Sequence, residues 1–151
     1  MADEGRGQAT VDAPVPDVWS VVCDLEAYPS WAGDIKHVAV LDVDDQGRPA
    51  TAEFRVGGFG VTVAYTLAYD YDPPGVVRWE LVRSNELRRM DGEYRFTARP
   101  DGGTDVEYRL TVDLKIPVIG LVKRRAEKMI ITAALKGLKE RVEAGVERGP
   151  S

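Results

Sequence analysis

The sequence predicts an α+β fold: a curved, seven-stranded antiparallel sheet around one long C-terminal helix, with two short helices after the first strand. Two observations predict it. Six runs of alternating residues lie between Asp34 and Leu114, joined by tight turns, which is the pattern of an antiparallel meander. One long amphipathic stretch, from Pro117 to about Glu147, arrives after all of them and must lay its apolar stripe on the meander. A sheet bent around a single helix leaves interior space near its mouth. That space points toward small-molecule binding more than toward any particular chemistry.

The elements follow in order. Ala9 to Asp12 reads as a short first strand. Pro14 and Pro16 then punctuate the chain, and Pro is tolerated in a first helical turn because its missing N–H has no helical partner there. Val15, Val18, Trp19 and Val22 follow at helical spacing, so a first helix runs from about Pro16 to Cys23. Asp24 can cap a second short turn, Leu25 to Tyr28, which Pro29 ends. The second strand spans about Ile35 to Val43, and Asp44-Asp45-Gln46-Gly47 is a strong turn signal. The third runs from Ala50 to Val56, and Gly57, Gly58 and Gly60 make a hairpin. In the fourth, Val61 to Tyr71, the residues Val63, Tyr65, Leu67, Tyr69 and Tyr71 share one face. The fifth turns Val77, Trp79 and Leu81 inward, the sixth Met90, Gly92, Tyr94, Phe96 and Ala98, and the seventh Val106, Tyr108, Leu110, Val112 and Leu114. Asp101-Gly102-Gly103 turns the chain between the last two. On the final helix Val118, Val122, Ala126, Met129, Ile130, Ala133, Gly137 and Leu138 form the expected apolar stripe.

Composition narrows the function. The 151 residues suit one domain, with an ordered core expected over about 8–147. Hydrophobic residues make up 44% and charged residues 30%, so the chain reads as soluble and globular. A net charge of -5 argues against a general nucleic-acid binder. The polar N-terminus lacks the apolar stretch of a secretory signal, and Cys23 is the only cysteine; both fit a reducing cytoplasm.

Several segments resemble one family. Asp12-Ala13-Pro14, then Val18-Trp19, then Asp24-Leu25-Glu26-Ala27-Tyr28-Pro29-Ser30-Trp31 is similar to the opening of the START-like superfamily. Ala134-Leu135-Lys136-Gly137-Leu138-Lys139-Glu140 resembles its helix terminus. Within the superfamily the chain looks most like the bacterial polyketide cyclase/dehydrase and lipid-transport branch, with the coenzyme Q-binding proteins nearby. The order of elements matches the helix-grip fold. The resemblance implies a single START-like domain that binds a lipid, sterol, polyketide or hormone between sheet and helix, and some members catalyse cyclisation there.

The chemistry-bearing residues are sparse. His37 is the only histidine and reads as a surface or rim residue at the start of the second strand; a His-based triad would require it to point into the cavity. One histidine and one cysteine do not make a transition-metal site. Cys23 reads as a small buried hydrophobe. Gly57, Gly58 and Gly60 join two strands, with no Lys-Ser/Thr or helix start behind them, so they read as hairpin glycines and not as a phosphate loop. No catalytic residue, metal or cofactor is assigned.

The aromatic residues carry more. Phe54, Tyr65, Tyr69, Trp79, Tyr94, Phe96 and Tyr108 all fall on inward positions. Ordinary core packing accounts for many of them. Tyr65, Trp79, Tyr94 and Tyr108, however, bring more polar tips than a dry core prefers, and a ligand or water would satisfy them. These four are expected to orient a ligand's polar groups, while Phe54, Val63, Phe96, Met129 and Ala133 shape apolar walls. Three readings stay open. One is a carrier of a small hydrophobic molecule such as a lipid, quinone or polyketide. Another is a polyketide aromatase/cyclase or dehydratase. The last is a quinone-binding module that docks on a membrane or protein through the basic cluster Lys123, Arg124, Arg125 and Lys128. A solvated helix face, with Glu127 among the basic residues, is the simpler account of that cluster. Oligomeric state is not legible.

Overall fold

The structure is a computed structural model that describes residues 4–58, 61–115 and 120–148. In chain order its elements are β1 (Gly5–Val11), α1 (Val15–Cys23), a 3-10 turn (Leu25–Ser30), β2 (Ile35–Val43), β3 (Pro49–Gly58), β4 (Val61–Asp72), β5 (Val76–Ser84), β6 (Leu87–Ala98), β7 (Thr104–Leu114) and α2 (Gly120–Arg148). The strands form a seven-stranded antiparallel sheet in the order β1-β7-β6-β5-β4-β3-β2. Only β1 departs from the meander order, crossing to pair with β7. Two expected turns hold their glycines in the left-handed region, Gly47 at φ 77° and Gly102 at φ 90°.

α2 packs chiefly on β1 and β7, with α1 against its flank. The core between them contains Val11, Val18, Val22, Val106, Leu110, Ile131, Leu135, Leu138 and Val142. Side chains from α2 hold the ends of this packing. The Glu127 carboxylate accepts from the Val112 N–H at 3.0 Å, on the stretch of β7 that continues beyond its last β1 partner, Leu110. At the opposite end Lys139 Nζ donates to the Thr10 carbonyl at 2.8 Å and Glu143 accepts from the Asp12 N–H at 2.8 Å. Orphan backbone groups at both ends of β1 and β7 are thereby satisfied.

The first strand begins earlier than the sequence reading has it, at Gly5 rather than Ala9. Gly5 and Gly7 lie where α2 crosses the strand. A Cβ on Gly5 would stand 2.8 Å from Ile131 Cδ1, and one on Gly7 would run into the same side chain. The short second turn extends through Pro29 to Ser30 as a 3-10 segment. Pro117 and Val118, expected at the helix start, lie outside the described residues.

The rotation of α2 is the main correction. Met129 is 57% exposed and Ala133 is exposed, so neither faces the sheet. The buried side runs through Glu127, Ile131, Leu135, Leu138 and Val142. Ile130 and Leu138 from the expected stripe do pack inward. The buried side is turned from the expected stripe because Glu127, one of its members, is charged and hides the periodicity. The close approach expected of small helix residues is supplied by strand glycines instead. Gly137 does permit a close contact, but with the Trp31 carbonyl and ring, at 3.0 and 3.3 Å from a built Cβ. Glu127 is likewise not part of a solvated face. Ala98 and Leu114, expected inward, are exposed at strand ends.

Candidate functional site

Strand alternation delivers the aromatic residues to one face of the sheet, and register brings them together. Phe54 lies opposite Tyr65, Tyr69 opposite Trp79, and Tyr94 opposite Tyr108. Each pair is in ring contact. Phe54 stacks on Tyr65 with centroids 5.4 Å apart, Tyr69 meets Trp79 at 6.1 Å, and Tyr94 meets Tyr108 edge-on at 4.7 Å. Trp79 joins the pairs, touching Tyr94 at 5.5 Å and Tyr108 at 5.6 Å. Phe96 extends the array to Trp19 of α1, and Phe54 extends it to Tyr28 of the 3-10 turn. The result is a continuous aromatic surface across five strands, β3 to β7.

Gly92 makes room for its centre. A Cβ there would lie 2.5 Å from Trp79 Cζ2 and 2.6 Å from the Arg109 carbonyl oxygen. The indole therefore lies across a position that carries no side chain. Val63, the remaining expected wall residue on the sheet, is partly buried against the same core.

The tyrosine hydroxyls divide into two groups. Tyr28 donates to the Val22 carbonyl and Tyr71 donates to the Pro49 carbonyl at 2.6 Å. Among the described residues, the hydroxyls of Tyr65, Tyr69, Tyr94 and Tyr108 meet no protein hydrogen-bond partner. Among the described residues, Trp31 Nε1 and Arg109 Nε are buried side-chain polar atoms that also lack a hydrogen-bond partner. Tyr65, Tyr94 and Tyr108 are buried and Tyr69 is partly buried against the same core, so the four phenols carry their polar tips within the aromatic array. Burial pushes all four above the ordinary tyrosine range, with smaller contributions from neighbouring phenols at Tyr65, Tyr69 and Tyr94. Each stays neutral at physiological pH and can both donate and accept a hydrogen bond.

Other candidates stand apart. His37 is exposed on β2 opposite Arg55, which fits the surface reading. Burial pushes the Cys23 thiol up to about 12, partly offset by Arg48, so it is a thiol and not a nucleophile at neutral pH. Among the described residues no group of three or more His, Cys, Asp or Glu side chains could hold a metal ion. No described helix is long and apolar enough to cross a membrane.

One feature escaped the sequence reading. β5 and β6 pair only over Val76–Trp79 and Gly92–Arg95, and part from there to their hairpin tip. A cleft of 790 Å³ lies there, bordered by the outward residues Asp70, Arg78, Glu80, Asp91, Glu93 and Arg109. Its charges are largely paired, Arg78 with Glu93 at 3.1 Å and with Asp70 at 3.4 Å. No motif announces it, because it arises where a ladder stops and not from any residue type.

Comparisons with known proteins match most of the chain. A model of the family described as "Polyketide cyclase / dehydrase and lipid transport" matches residues 4–143. A START superfamily protein from Mycobacterium smegmatis is 23% identical, superposes with a TM-score of 0.89, and the match covers 95% of this chain and 99% of that one. A protein from Thermus thermophilus is 23% identical with a TM-score of 0.79, over 94% of this chain and 98% of the other. The Zhui aromatase/cyclase from Streptomyces sp. R1128 is 17% identical with a TM-score of 0.80, over 95% and 94%. Among curated proteins nothing matches. At these identities the structural likeness shows the fold, which is the expected helix-grip arrangement.

Proposed function

From membership of the polyketide cyclase/dehydrase and lipid transport family, to which this chain belongs, we propose that it binds a small, neutral, largely apolar molecule on the aromatic face of its sheet. The family supports hydrophobic ligand binding or aromatase/cyclase activity in general; the finer assignment rests on one observation. Among the described residues, no protein group engages the four phenol hydroxyls on an otherwise apolar aromatic face. An apolar ligand body gains about 25 cal/mol for each Å² it buries. Its oxygen functions take up the hydroxyls of Tyr65, Tyr94 and Tyr108, and of Tyr69, which the sequence reading left out of the set. Phe54, Val63, Trp79 and Phe96 form the walls.

The ligand is neutral because the surface offers nothing to balance a charge. Among the described residues no Lys, Arg or His is buried, and the one buried charge, Glu127, has its carboxylate engaged with the Val112 amide. A carboxylate or phosphate placed here would lose its hydration without a counter-charge.

Tryptophan fluorescence tests the reading, since Trp79 sits at the centre of the array. Titration with a quinone, a sterol or an aromatic polyketide quenches the emission, and Trp79→Phe removes most of the response. If none of these ligands changes the emission at saturating concentration, the reading fails.

A cyclase or dehydratase activity is the second reading. It is favoured by the same phenols, which burial holds protonated and which can therefore donate to a carbonyl or enolate oxygen. Tyr94→Phe and Tyr108→Phe then slow ring closure of a poly-β-ketone mimic by about tenfold or more while the mimic still binds. Unchanged turnover in both variants removes this reading and leaves the carrier.

A further inference from the structure

We propose that the outer side of α2 docks reversibly on an anionic lipid surface, whatever the aromatic face binds. Charge is distributed very unevenly along the chain. Residues 114–139 hold seven basic side chains and one acid, Glu127, whereas the rest holds thirteen basic and twenty-four acidic residues. That one acid is turned inward, 3% exposed, with its carboxylate on the Val112 N–H of β7. Arg125, Lys128, Thr132 and Lys136 are exposed on the helix's outer side, and along the described helix no acid is exposed until Glu140.

Apolar residues stand among these charges. Met129 is 57% exposed and Ala133 is exposed beside it. Leu114, 39% exposed, and the exposed Lys115 lie at the end of β7 that leads toward α2. From Arg125 to Lys136 the basic side runs about 16 Å along the helix, long enough to rest on several headgroups. A basic helix side with apolar residues in its middle is the pattern of an interfacial helix. Nucleic acid fits it less well, since 124–136 holds no aromatic side chain to stack a base. A protein partner fits less well too, because protein interfaces centre on aromatic anchors. The remainder of the chain, strongly acidic, is repelled by the same surface, so the protein approaches with α2 foremost.

The test is co-sedimentation of the full chain with vesicles of phosphatidylcholine alone and of phosphatidylcholine mixed with phosphatidylglycerol. The protein pellets with the mixed vesicles at low salt, stays in solution with the neutral ones, and is released at high salt as the charges are screened. Arg125→Glu combined with Lys128→Glu, both exposed and outside the aromatic site, weakens binding by about tenfold or more at an unchanged melting temperature. The proposal is overturned if the mixed vesicles carry down no protein, if neutral vesicles bind equally, or if the double variant binds as before. Equally tight binding to soluble polyglutamate also overturns it, by assigning the face to an acidic protein.

Discussion

Gly92 and the four unpartnered tyrosines give the aromatic face opposite kinds of sensitivity. At Gly92 a methyl group meets the Trp79 ring and, more seriously, the Arg109 carbonyl, which cannot swing away. Gly92→Ala should lower unfolding stability by about 1–3 kcal/mol, measured by urea denaturation, and should shift the tryptophan emission. Tyr108→Phe removes a hydroxyl that no protein group engages, so stability should change by less than about 0.5 kcal/mol while affinity for an oxygen-bearing ligand falls. Tyr28→Phe deletes a real hydrogen bond to Val22 and should cost about 1 kcal/mol. The phenols also set an alkaline limit. Their folded pKa values lie above the unfolded value of about 10, so the folded state holds protons that the unfolded chain releases. Stability is therefore unaffected below about pH 10 and falls as pH rises past it. Phenolate absorbance should appear together with unfolding and not ahead of it.

Among the elements, α2 separates what its sequence displays from what it conceals. Strand parity is legible because period-two alternation is local: Phe54, Tyr65, Trp79, Tyr94, Phe96 and Tyr108 all stand on the expected face. Helix rotation is not, because a buried glutamate interrupts the apolar stripe and an exposed methionine imitates it. The start of β1 is hidden for a similar reason, since glycines that admit a crossing helix look like those that break a strand. The parting of β5 and β6 depends on where a ladder stops, which residue types do not encode; Val82, left over between the Leu81 and Arg83 pairings with β4, marks the nearby irregularity. Two substitutions measure the rotation directly. Ile131→Ala should cost about 2–5 kcal/mol, and Met129→Ala less than about 0.5 kcal/mol, by thermal or urea unfolding. Glu127→Ala strands the Val112 amide and should cost about 1–3 kcal/mol, whereas Glu127→Gln keeps an acceptor and should cost less.

For the molecule as a whole, the fold is the better-determined property and the ligand the less. Element order, an acidic composition and the opening motif around Val18-Trp19 and Tyr28-Trp31 lead to the helix-grip family from sequence alone. A ligand's identity depends instead on how the aromatic face and its four hydroxyls fit it, which no local sequence pattern encodes. Binding only the folded state, the correct ligand should stabilise it by about 2.7 kcal/mol at a hundred times its dissociation constant, visible as a rise in melting temperature.

The fastening of α2 to β1 and β7 has one more consequence. Hydrogen bonds from α2 reach Thr10, Asp12 and Val112, and the opposite edge, β2 and β3, is joined to it chiefly through the strands between and through Trp31 on Gly137. Backbone amides in α2, β1 and β7 should then exchange with deuterium as one slow group, and those of β2 and β3 as a faster one. Occupation of the aromatic face, which spans both groups, should draw the two rates together.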